Sequence, residues 1–422
     1  MNMSLNSTRT PARSRPALMI VALILVALNL RLAITSAASL LTMLTEAGAL
    51  NAVTVVLIPA IPTAVFAIAG VSTARVAARW GAERTVAAGL VVLVAGLLIR
   101  ALPDPWIVVF GTVIATGGLA VVNILLPAVV RAHFGRNIGA VTTVYTTAMS
   151  LGAATAAAAA VPLAQRLGSP TLGLAAWAVP AVIALVAWTT FMPLRRERIE
   201  ANPAAVDPAQ SVQPSETSDP ATARAAARRE PFPAGTWLLA TFFAIQALLS
   251  YVLMGWLPSV ATDAGLSAER AGLLLGIAMA VGVPATAIIV PLTRGVKRMR
   301  LGFVIVGTAS LTGMLGMLLA PTALPEAWAA FLGLGMCAFP LALALIASLG
   351  KDAAESARVS TAVQSIGYTV ATLGPLGAGA IRQMTGGWTW VLTLLMVGAV
   401  AQVIVGLLLT QVVGTRRAPA ER

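Results

Sequence analysis

Twelve stretches of this chain, each close to or above the roughly 20 apolar residues needed to cross hydrocarbon, constrain it more than any motif does. They lie near residues 17–44, 52–74, 85–101, 105–130, 138–163, 172–192, 236–259, 270–293, 301–320, 325–349, 359–381 and 388–412. With 58% hydrophobic and 10% charged residues among 422, the chain has too little polar surface for a soluble globule. The runs are continuous and rich in Ala, Leu, Val and Gly, without the two-residue alternation of a membrane barrel. Such runs satisfy their backbone groups in lipid only as helices. The expected fold class is therefore an all-α polytopic membrane protein of twelve transmembrane helices. The first stretch follows a basic leader (Arg9, Arg13, Arg15) but is too long for a signal-peptide core and is read as a retained helix.

Assigning alternate loops to alternate sides puts 23 Lys and Arg on one side and 4 on the other (Arg100, Arg166, Arg270 and Arg382), with Arg31 left inside a span. By the positive-inside rule both termini are expected in the cytoplasm. The same asymmetry accounts for the net charge of +13, so the basic loops are read as topology signals near anionic lipid and nucleic acid is not expected as a partner. The single cysteine, Cys337, has no disulfide partner in the chain and is expected to pack as a small hydrophobe.

Between the sixth and seventh stretches lies a polar segment rich in Pro, Ala, Ser and mixed charge. This predicts a flexible cytoplasmic linker over 193–235, between an N-terminal six-helix bundle, 1–192, and a C-terminal one, 236–422. Short matches recur across the divide. Thr45-Glu46-Ala47-Gly48 returns 217 residues later as Thr262-Asp263-Ala264-Gly265, and Pro127 returns 213 later as Pro340. Phe134-Gly135-Arg136 returns 215 later as Leu349-Gly350-Lys351. Nearly one offset at matching topological places implies duplicated, pseudo-symmetric halves, with a substrate site expected between them near mid-membrane.

Arg31 lies in the middle of the first stretch, and no acidic residue lies at comparable depth elsewhere. A guanidinium near the bilayer centre costs at least roughly 2.5–3.5 kcal/mol on insertion scales, so such residues face a watery cavity and meet something negative. Snorkelling is the alternative, opposed by the distance of about 21 Å to the start of the span. Thr35, Ser39 and Thr42 share its helical face. Other polar midspan residues are Asn29 in span one, Asn123 in span four, Tyr145 and Met149 in span five, Gln246, Tyr251 and Trp256 in span seven, and Gln364 and Tyr368 in span eleven. Each is a candidate ligand contact, with interhelical hydrogen bonding as the alternative for the amides and hydroxyls. A cation among neutral donors and aromatic walls suits a small anion or a polar planar ring.

All fifteen acids are placed near the membrane ends or in loops, which leaves Glu46 and Asp263, on the less basic side, as coupling candidates, with protons an open coupling partner. His133, the only histidine, is expected as a solvated loop residue after span four. No metal-ligand cluster, phosphate loop or nucleophile elbow is present, so neither an enzyme nor a cofactor is expected.

LNLRLAITS (28–36), ARWGAERT (78–85), NILLPAVVRAHF (123–134), VYTTAMSLGAA (144–154) and WLPSVATDAGLSAERAG (256–272) make the chain resemble the major facilitator superfamily, and within it the cyanate/nitroimidazole transporter family. The likeness spans both halves. It implies a secondary carrier in the inner membrane of a bacterium, read as a monomer, that moves a small anion or nitrogenous compound by alternating access. Proton-coupled efflux of neutral compounds and a non-transporting membrane receptor are the rival readings. In the superfamily's loop between spans two and three, Arg79, Gly81 and Arg84 match, which makes Arg79 and Arg84 gating candidates. Ala78 stands where that pattern has an aspartate and Ala74 where it has a glycine.

Overall fold

The computed structural model describes residues 16–192, 231–349 and 353–417. The leader arginines, most of the expected linker, and Gly350 and Lys351 of one repeat match lie outside the described residues. Among the described residues the chain is helical, without strands. The first half comprises α1 (Pro16–Glu46), α2 (Ala52–Trp80), α3 (Ala82–Ile99), α4 (Pro105–Phe134), α5 (Ile138–Arg166) and α6 (Pro170–Ala175 continued by Ala178–Phe191). The second comprises α7 (Thr236–Asp263), α8 (Ala268–Ile289), α9 (Val296–Leu319), α10 (Pro325–Met336 continued by Ala338–Leu349), α11 (Ala353–Thr385) and α12 (Thr389–Arg417). Eleven of these twelve are long and apolar enough to cross a membrane. The exception, α11, carries Glu355, Arg358, Thr361, Gln364, Ser365 and Thr369 in its first half, which lowers its hydropathy but not its length of 33 residues.

The halves pack alike. Within the first, α1 lies on α5 and α6, α4 on α2 and α3, and α3 on α6. Adding six to each label gives the second: α7 on α11 and α12, α10 on α8 and α9, and α9 on α12. The repeated Thr-acid-Ala-Gly sequence closes both first helices identically. Ala47 N bonds to Met43 O, Gly48 N to Thr45 O and Ala49 N to Leu44 O; 217 residues later Ala264 bonds to Val260, Gly265 to Thr262 and Leu266 to Ala261. Gly48 (φ 71°) and Gly265 (φ 93°) each take the left-handed conformation that ends the helix.

Small residues set the close contacts, as they must where lipid supplies no hydrophobic drive between helices. A Cβ on Gly152 of α5 would fall 2.1 Å from Leu28 O of α1, and one on Gly96 of α3 would fall 2.2 Å from Ala115 N of α4. Between halves, α5 meets α8, α2 meets α11 and α1 meets α7. The sealing contacts run from mid-molecule to the face opposite the one where α1 begins and α12 ends, the terminal face. Thr42 and Thr262 bond hydroxyl to hydroxyl at 3.1 Å, and the Gln383 amide donates to Ala52 O. Gly272 of α8 lies so close to α5 that a Cβ would be 2.6 Å from Ala157 O, and one on Gly255 of α7 would be 2.7 Å from Pro59 of α2.

Candidate substrate site

Arg31 is the central residue of the 31-residue α1, half-buried, with fifteen residues or about 22 Å of helix on either side. The flanking residues of α1 are almost entirely buried: Leu30 at 4% and Leu32 at 5%. The Arg31 side chain crosses to the other half, where Nη1 lies 3.5 Å from the Met254 sulfur of α7. A thioether is a weak acceptor. No carboxylate pairs with Arg31 among the described residues; the ion pairs there include Glu83 with His133, Glu326 with Arg270 and Asp263 with Arg382.

Around Arg31 the second half supplies an aromatic wall. Its charge reaches the phenols of both Tyr251 of α7 and Tyr368 of α11. Those rings meet edge to face at 6.4 Å, and Tyr368 packs in turn on Phe243 at 5.6 Å. Toward the sealed face a pocket continues between α1, α2, α4 and α7, lined by Ala33, Ala37, Pro59, Thr112, Thr116 and Tyr251. Asn123 is exposed at mid-helix and lies seven residues from Thr116 on the same face of α4, about two helical turns nearer the terminal face. Thr361 and Ser365 of α11 are likewise exposed. Exposed polar side chains therefore lie on the terminal-face side of Arg31, and the contacts that join the halves lie on the other side.

Several expected contacts sit elsewhere. Asn29 points away from the centre, its amide donating to Leu25 O at 2.8 Å and Pro180 O at 3.2 Å, so it ties α1 to α6. Thr35 is fully buried and returns its hydroxyl to Arg31 O at 3.0 Å. Gln246 is engaged within the second half by Ser250, Met336 O and Gln402. Trp256 donates to Pro375 O at 3.0 Å and packs on Trp388, a brace between α7 and α11 rather than a pocket wall. Tyr145 is buried and its electrostatic neighbour is Arg131, nearer the terminal face; Met149 packs half-buried against the core. Gln364 donates to Ser360 at 2.6 Å. Met254, which the sequence reading passed over, follows Tyr251 by one helical turn, and that spacing was its available signal.

The gating candidates divide as well. Asp263 accepts from Arg382 at 2.6 Å and from the Trp388 indole at 2.8 Å, all within the second half. Glu46 and Arg79 are exposed at opposite faces, and Arg84 is exposed next to Glu83. His133 is not a solvated loop residue: it lies in the last turn of α4 and its Nε2 is 2.8 Å from Glu83 Oε1. Glu83 is itself buried at 5%, and its carbonyl accepts the Trp188 indole at 3.0 Å. Arg100, assigned to a loop by charge counting, is fully buried. Cys337 packs as expected, its thiol 3.6 Å from Gly282 O.

The sequence pattern of the Major Facilitator Superfamily matches residues 19–375. The chain belongs to that superfamily. Among curated relatives, the 2-nitroimidazole transporter of Escherichia coli (strain K12) is 30% identical over 387 residues, covering 91% of this chain and 92% of that protein. The cyanate transport protein CynX of the same strain is 26% identical over 372 residues, covering 88% and 91%. Among solved structures, a bacterial homologue of the human lysosomal transporter Spinster, inward-facing and unoccupied, superposes with TM-score 0.74 at 12% identity over 96% of this chain and 98% of that one. The nucleoside transporter NupG (D323A mutant) gives 0.71 at 11%, over 93% and 99%. At such identities the two structures speak for the fold alone. Superfamily membership makes the chain a polytopic membrane transporter of small molecules, with lipid as its surroundings.

Proposed function

We propose that this superfamily member is a secondary carrier that alternates access around Arg31 and moves a small anion, or a nitrogenous compound with an electron-rich edge such as a nitro group. The single observation behind this reading is the guanidinium at the centre of α1, half-buried between the halves, with the Met254 thioether as its hydrogen-bond contact and no carboxylate paired with it among the described residues. In a low-dielectric site an unpaired charge is unfavourable, and a guest that neutralises it lowers the free energy of the closed arrangement around it. Binding then biases the rocking equilibrium by its differential affinity for the two states. The relatives named for 2-nitroimidazole and cyanate support the same class of guest.

The loop charges support a cytoplasmic terminal face. On that reading the arrangement described above opens toward the cytoplasm, in the inner membrane of a bacterium, and each protein molecule works as a monomer. The Arg382 and Trp388 contacts to Asp263 brace the end of α7 on the sealed side, beside Thr262, whose hydroxyl meets Thr42 of the first half, and so support the outer gate without bridging it. Uptake of cyanate and of 2-nitroimidazole into proteoliposomes tests the proposal. Wild-type protein is expected to show saturable flux that Arg31→Ala loses; equal flux in both proteins would refute the role given to Arg31.

A further inference from the structure

Arg100 follows directly on α3, at its end near the sealed face, where solvent would be an easy destination for a charged side chain. Instead it turns inward and is 0% exposed. Gly111 of α4 makes the passage: a Cβ there would fall 2.8 Å from Arg100 Cγ. Nη1 donates to Ala33 O of α1 at 3.2 Å, and Ala33 lies two residues from Arg31 and lines the pocket between the halves. Nε and Nη2 are buried without a hydrogen-bond partner among the described residues. The carboxylate closest in sequence, Asp104, is engaged as the cap of α4, accepting from the Trp106 and Ile107 amides.

The unoccupied atoms matter by their position on the group. Nε–H and Nη2–H form the edge of a guanidinium whose two bonds run parallel and match two acceptor atoms of one planar anion. We infer that Arg100 is a second anion station, taking a small planar oxyanion of carboxylate, nitrate or bicarbonate type by that edge, on the sealed side of Arg31. This deepens the carrier reading and rests on it, because a station two residues along α1 from Arg31 has a role only if anions travel this route. Its ligand class is narrower than that of Arg31: two oxygens in one plane rather than negative charge alone. With no exposed surface in the present arrangement, the station is reached only when α1 parts from α3 and α4 near the sealed face, a local movement within the first half.

Thermal unfolding of the detergent-purified full chain, titrated with sodium nitrate, sodium formate and sodium chloride at constant ionic strength, tests the inference. Wild-type protein and Arg31→Gln are both expected to be stabilised by nitrate and formate at concentrations at least tenfold below those needed for chloride. Arg100→Gln is expected to lose that preference. Arg100→Lys keeps the charge without the fork, is the more conservative change should the glutamine variant fail to fold, and is expected to bring nitrate and chloride to within about threefold of each other. Wild-type nitrate preference in Arg100→Lys, or no preference in Arg31→Gln, would overturn the station. Undiminished flux in Arg31→Ala with an intact nitrate preference would instead remove the role of Arg31 and leave the Arg100 binding site standing.

Discussion

Two guanidiniums next to the same stretch of α1 behave differently because of what surrounds each. Arg31 reaches across the interface and stays half-exposed, whereas Arg100 is sealed within the first bundle. Arg31→Lys retains the charge but not the planar donor set, and is expected to weaken recognition of a planar anion about tenfold, on the order of 1.4 kcal/mol, in equilibrium binding to purified protein. Equal affinity would mean that only charge is read. At the terminal face, Glu83 is buried beside His133, so His133→Ala strands a buried carboxylate. That variant is expected to lose roughly 1–3 kcal/mol, read as a lowered unfolding temperature, while inserting normally. The central position of Arg31, with no acid at its depth, was legible in the sequence. The fates of Asn29, Gln246 and Trp256 were not, since helical spacing gives the face of a residue but not which neighbour covers that face. Arg100 and His133 were misplaced for different reasons. Charge counting assigns Arg100 to a side of the membrane, while Gly111 on α4 leaves room for its side chain to turn back into the protein. The apolar run of span four ends near 130, while α4 continues through His133 to Phe134.

At the scale of elements, the sealed face depends on backbone approach. Gly272 of α8 has no room for a side chain against Ala157 O of α5, and backbone on both sides leaves nothing flexible to yield. Gly272→Leu is therefore expected to wedge α5 from α8 and favour the arrangement open on that face. Maleimide labelling of a cysteine introduced by Thr262→Cys, beside the Thr42 contact, is expected to accelerate severalfold in the Gly272→Leu background. An unchanged labelling rate would show that the two helices do not form the gate. All twelve helices were evident from the apolar stretches, and in the structure Asp104 caps α4 just before Pro105. The polar first half of α11 weakens its hydropathy while supplying Gln364 and Tyr368, so the least apolar of the twelve helices carries part of the interior.

For the whole molecule, duplication explains why one six-helix plan occurs twice and why α5 with α8 and α2 with α11 exchange under that repeat. Two equivalent bundles meeting along such pairs can rock about a central site with their main internal helix pairs kept, and the chemistry then depends on what lies at the centre. The offsets of 213–217 residues made this plan readable before any coordinates, whereas the state of the molecule, closed on one face, depends on interhelical contacts that no spacing encodes. The most direct measurement is substrate-dependent thermal stabilisation of purified wild-type and Arg31→Ala protein across a panel of small anions and nitrogen heterocycles. The account predicts a wild-type shift with at least one anionic or nitro-bearing compound and none in the variant, with both proteins folded in its absence. A compound that stabilises both proteins equally, with no other separating them, would contradict it.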